Sequence, residues 1–110
     1  MVEELRVLFL EREKPEVELI LQELRTAKML VCPLHVETKQ AFVQALQDFA
    51  PDLIIADYHL PDSDGVSAFF LARQQKPEVP FVFLTGKIAE EPLIDLVVDG
   101  TTGCVSRQEL

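Results

Sequence analysis

Between Leu5 and Ser106 the chain alternates short apolar runs with longer segments of helical period, and this alternation constrains the fold more than any other feature. Leu5 to Leu10 is a nearly continuous apolar run, the pattern of a strand buried on both faces. Pro15 suits the first turn of a helix, where its missing N–H costs nothing. Val17, Leu19, Ile20, Leu21 and Leu24 then mark an apolar helical face running to about Ala27. Met29 to Val36 is apolar with Pro33 inside it. A proline cannot donate to a ladder, so this strand is expected at the edge of the sheet. Thr38 is placed to cap a second helix, with Ala41, Phe42, Ala45, Leu46 and Phe49 at helical spacing.

Pro51-Asp52 breaks that helix, and Leu53-Ile54-Ile55-Ala56, the strongest buried strand, ends in Asp57. After a polar loop, Val66 to Gln75 reads as a third helix with Phe69 and Phe70 turned inward. Pro77 and Pro80 bracket a tight connection to a strand over Phe81 to Leu84, which ends at Thr85-Gly86-Lys87. Glu90 to Val98 is expected to be a fourth helix, with Pro92 in its first turn, stopped by Asp99-Gly100. Gly103 to Ser106 is a short fifth strand. Strands alternating with helices over short connections imply an α/β, doubly wound parallel sheet of five strands with helices on both faces. The pattern halts at Leu110, where a fifth helix is expected, so the final helix is missing or truncated.

A chain of 110 residues is one domain's worth and buries roughly two-thirds of its unfolded surface. Its net charge of -9 argues against this domain gripping nucleic acid, whose phosphates need clustered Lys and Arg. Cys32 and Cys104 match no metal spacing and read as reduced core thiols of a cytoplasmic protein. No apolar run approaches the roughly 20 residues of a membrane span, and Met1-Val2-Glu3-Glu4 lacks the basic start of a signal peptide.

In open α/β sheets, polar sites form beyond the carboxyl ends of the strands. Glu11, Arg12 and Glu13 follow the first strand, Asp57 the third, Thr85 the fourth, and Ser106-Arg107 close the fifth. Carboxylates, a hydroxyl and a cation thus converge on one end of the sheet. Asp57 is the best nucleophile candidate, because a carboxylate at a rigid strand end can form an aspartyl-phosphate. Read on position alone, Asp57 is as readily a turn residue.

Several motifs in order carry a resemblance. Pro51-Asp52-Leu53-Ile54-Ile55-Ala56-Asp57 followed by Leu60-Pro61 and Asp64-Gly65 resembles the signature of the receiver domains of bacterial two-component response regulators. Phe81 to Gly86 resembles their fourth strand with its switch Thr, Asp99-Gly100 the turn before strand five, and Val7 to Glu11 the first strand with its first acid. The resemblance spans the chain in register and implies the flavodoxin-like strand order 2-1-3-4-5. It also implies a single receiver domain over residues 1–110, the N-terminal part of a longer signalling protein. Asp57 would accept a phosphoryl group from a sensor histidine kinase or phosphotransfer protein. Thr85 would bond the phosphoryl oxygens as the switch, and Arg107 would contact them from the usual Lys position. Mg²⁺ would be held by Glu11, Asp57, the backbone carbonyl of His59 and, in one arrangement, Glu13. A downstream output domain is the implied partner and a homodimer is compatible, with no membrane and no nucleic acid contacted by this domain. The implied chemistry is self-catalysed phosphoryl transfer and slow autodephosphorylation rather than enzymatic turnover.

Three departures bear on that expectation. Arg12 stands where the family carries a second acid, and its charge is expected to weaken Mg²⁺ binding unless it is simply a solvated loop cation. Arg107 and Gln108 replace the usual Lys-Pro, and Arg is not a neutral swap for Lys. Cys104 stands where a switch aromatic is usual, which implies a small output change carried by the Thr85–Lys87 loop and the following helix. The main alternative is a pseudo-receiver, a docking module of the same fold that works without phosphorylation. Two other readings fall on spacing. A haloacid-dehalogenase-type nucleophile at Asp62 lacks an apolar strand immediately before it, and an FMN module lacks a glycine-bearing phosphate loop after the first strand.

Overall fold

The computed structural model describes residues 4–57, 64–85 and 102–106. Their elements run β1 (Leu5–Leu10), α1 (Lys14–Thr26), β2 (Val31–Val36), α2 (Lys39–Asp48), β3 (Leu53–Asp57), α3 (Asp64–Gln75), β4 (Phe81–Thr85) and β5 (Thr102–Ser106). The strands form one parallel sheet in the order β2-β1-β3-β4-β5, as the alternation and the resemblance led us to expect. The expected fourth helix over Glu90–Val98 and the loop from Tyr58 to Ser63 lie outside the described residues.

Strand parity distributes the core. Val7, Phe9, Ile55 and Leu84 pack on one face against Val17, Ile20 and Leu21 of α1. Leu8, Leu10, Ile54, Ala56, Phe81 and Phe83 pack on the other face against Phe42, Ala45 and Leu46 of α2 and Ala68, Phe69 and Ala72 of α3. The second face is the more aromatic, with Phe69 set edge-on to Phe81 at 5.4 Å between ring centroids and Phe42 edge-on to Phe81 at 6.4 Å. Such offset pairs add to the burial of the rings themselves.

Two inward assignments are corrected. Phe70 is 57% exposed while its neighbour Phe69 is 2% exposed, because adjacent positions on a helix point about 100° apart and the sheet takes only one of them. Leu19 is likewise 49% exposed, one step round α1 from buried Ile20. Cys32 is a free thiol on β2 but only half-buried, since the edge strand is covered less than the centre. The side chain of Cys104 lies outside the described residues.

The edge position of β2 follows the chemistry of Pro33. Leu5 donates to the Leu30 carbonyl and Glu11 to the Val36 carbonyl, so the even-numbered residues of β2 turn their backbone groups toward β1. Pro33, opposite Val7, therefore sets its donor-free nitrogen on the open side. Local signals mark the helix ends. Pro15 occupies the first turn of α1, and the Thr38 hydroxyl accepts from the Ala41 N–H at 3.1 Å to cap α2. At the end of α1, Met29 donates to the Leu24 carbonyl and Lys28 to that of Arg25, a paired closure that puts Lys28 at φ 63°, a conformation glycine adopts more readily.

Candidate functional site: the carboxyl edge of the sheet

The register brings the candidate residues into a row. Leu10 lies opposite Ala56, so the next residues on β1 and β3, Glu11 and Asp57, occupy neighbouring positions. Parallel neighbours are spaced about 4.8 Å apart. Asp57 in turn lies opposite Leu84, and Thr85 opposite Ser106. Glu11 continues the parity of Val7 and Phe9, and Asp57 that of Ile55, so both carboxylates extend the α1 side of the sheet.

Glu11 is the one polar residue among the buried side chains described, at 1% exposure. Its N–H donates to the Val36 carbonyl at 3.1 Å, and its Oε1 accepts the Glu13 N–H at 3.1 Å. Its own carbonyl accepts a hydrogen bond from Nε2 of His35 on β2. A buried carboxylate is costly unless hydrogen bonds or a cation compensate it, and here the Glu13 N–H begins that compensation. Asp57 is half-buried at the end of β3.

Glu13 and Arg12 are both exposed. Glu13 engages Glu11 through its backbone N–H. Exposure of Arg12 fits the solvated-cation reading of that residue. Thr85 closes β4, but its side chain, with His59 and Arg107, lies outside the described residues. Sequence reasoning missed His35. Its only local cue is a polar residue near the end of an otherwise apolar edge strand, and its partner is 24 residues away in sequence.

The donors are of a kind that suits Mg²⁺. That ion takes oxygen ligands and is commonly held by one or two carboxylates, with waters and phosphate oxygens completing its shell. Glu11 and Asp57 supply two carboxylates side by side. Among the described residues no three His, Cys, Asp or Glu side chains are grouped as a cage for a metal. The same arrangement leaves Asp57, the last residue of β3, as the candidate carboxylate nucleophile.

An open parallel sheet with two acids at its carboxyl edge defines a class, and the comparisons agree on it. The sequence matches the response regulator receiver domain over residues 7–109, and the chain belongs to that family. Among solved structures it is similar to a response regulator from Hahella chejuensis, with a TM-score of 0.81 and 22% identity over 96% of this chain and 81% of that one. The receiver domain of a LuxO repressor protein from Vibrio parahaemolyticus gives 0.76 and 24%, covering 96% of this chain and 79% of that one. The chemotaxis regulator CheY4 of Vibrio cholerae gives 0.77 and 20%, covering 96% and 88%. In sequence, the regulatory protein LuxO of Vibrio cholerae is 34% identical over 50 residues, 46% of this chain and 11% of that protein. The chain thus spans about a tenth of the length of that relative. The fold and family place the domain in two-component signalling. None of the described helices is long and apolar enough to cross a membrane.

Proposed function

We propose that this domain receives a phosphoryl group on Asp57 from the phosphohistidine of a sensor histidine kinase or phosphotransfer protein, and that the aspartyl-phosphate changes its contacts with an output domain. The observation that carries the reading is the neighbouring register of buried Glu11 and half-buried Asp57 at the sheet's carboxyl edge. In the transfer, an Asp57 carboxylate oxygen attacks phosphorus, the P–N bond to the donor imidazole breaks, and the leaving nitrogen takes up a proton. Mg²⁺, when bound, neutralises charge on the phosphoryl oxygens. Glu11 and Asp57 would hold it, with the His59 carbonyl and Glu13 as further candidates. The roles carried over from the family give Thr85 and Arg107 the phosphoryl oxygens once Asp57 is modified. The receiver would work in the cytoplasm as part of a longer signalling protein.

The test is incubation with acetyl phosphate and Mg²⁺ followed by intact-mass measurement. A gain of one phosphoryl group, lost in Asp57→Asn, supports the assignment; a gain that survives Asp57→Asn refutes it. A second reading, a docking module that works without phosphorylation, is favoured by Arg12 in the position of the family's second acid. No mass gain under any donor would select it.

A further inference from the structure

We propose that His35 is a positioning residue for the cation site, acting through the backbone of Glu11. The inference rests on the reading of Glu11 as a cation ligand. His35 is half-buried on the edge strand β2, two residues past Pro33. Its ring donates from Nε2 to the Glu11 carbonyl, and because a carbonyl oxygen only accepts, the proton must sit on Nε2. That bond stands where the ladder runs out. The last described rung between β1 and β2 is Glu11 N–H to the Val36 carbonyl, and continued register would give the Glu11 carbonyl to the N–H of Thr38. Thr38, however, belongs to the cap of α2. The imidazole supplies a donor just beyond that last rung.

Glu11 is therefore held by at least three hydrogen bonds. Val36 holds its N–H, His35 its carbonyl, and the Glu13 N–H one carboxylate oxygen. The first two fix the peptide planes on either side of the Cα, and so fix the direction in which the side chain leaves the backbone. The third engages Oε1 of the carboxylate. A carboxylate aimed this way meets a cation with little reorganisation, which is how residues behind a ligand tune affinity. His35 needs no contact with the cation itself.

The test compares the wild-type chain with His35→Leu, His35→Gln and Glu11→Gln by calorimetric titration with Mg²⁺, alongside thermal unfolding and amide hydrogen exchange. His35→Leu is expected to weaken Mg²⁺ binding by about tenfold. His35→Gln, which keeps an N–H donor, should restore most of it, and Glu11→Gln should abolish binding. Exchange at the Glu13 amide should quicken in His35→Leu and be slowed again in His35→Gln, with or without metal. If Mg²⁺ affinity in His35→Leu equals wild type while Glu11→Gln loses binding, the positioning role is overturned and the site stands. A weakening that His35→Gln does not rescue, with both variants melting equally early, makes His35 a purely structural residue and also overturns it. If wild type and Glu11→Gln bind Mg²⁺ equally, or neither binds, the cation-site reading fails and the proposal falls with it.

Discussion

The two ends of the sheet use acidic residues in opposite ways. At the amino end, Asp52 accepts the Arg6 N–H at 3.0 Å and returns its own N–H to the Arg6 carbonyl at 2.7 Å. Arg6 also donates from Nε to the Phe49 carbonyl at 2.7 Å and lays its guanidinium over the Phe49 ring at 4.4 Å. One acid and one base there join β1 to the turn between α2 and β3. At the carboxyl end the register sets Glu11 beside Asp57, two groups of the same sign. A cation held between the two carboxylates would offset their mutual repulsion. Polar groups at the amino end hold the fold together, whereas those at the carboxyl end make up the candidate site.

Substitutions should separate the two ends. The largest effect is expected from Asp57→Asn, which should remove all phosphoryl incorporation from acetyl phosphate, read by intact mass, while leaving the urea midpoint near that of wild type. Arg6→Ala should do the reverse. Losing its side-chain hydrogen bond and ring contact should cost about 1–3 kcal/mol in urea unfolding, with phosphorylation unchanged in rate. A smaller loss, about 1 kcal/mol, is expected for Thr38→Ala from the missing cap, read in the same way. At the carboxyl end, Arg12→Asp should tighten Mg²⁺ binding several-fold by calorimetry; an unchanged affinity would mean that the exposed guanidinium has no influence on the site. The smallest change is a gain. Lys28→Gly should stabilise the chain by about 0.5–1 kcal/mol, because glycine holds the left-handed conformation without a Cβ clash.

Much of this arrangement could be read from residue order. The apolar run from Leu5 to Leu10 and that ending in Asp57 coincide with β1 and β3, since a strand covered on both faces must be apolar throughout. Pro33 and Thr38 declared an edge and a cap because each acts through its own backbone or its near neighbours. The faces of the helices were harder to read. Helical period marks a stripe but does not decide whether Phe69 or Phe70, or Leu19 or Ile20, lies at its centre; packing against the sheet decides that. In the candidate site, Glu11 and Asp57 were legible as strand-end acids. His35 was not, because its bond depends on the register between two strands and on where β2 leaves the ladder to cap α2.

Pro33 has a further consequence for how the molecule behaves in company. An uncovered strand edge is a template on which a strand of another chain can pair, and such pairing is the first step of open-ended aggregation. On β2 the outward backbone positions are Val31, Pro33 and His35, and the central one offers a carbonyl but no N–H. An incoming strand would meet a gap in the middle of its run of hydrogen bonds. One ring closure in the covalent chain thus guards this flank of the sheet against self-association.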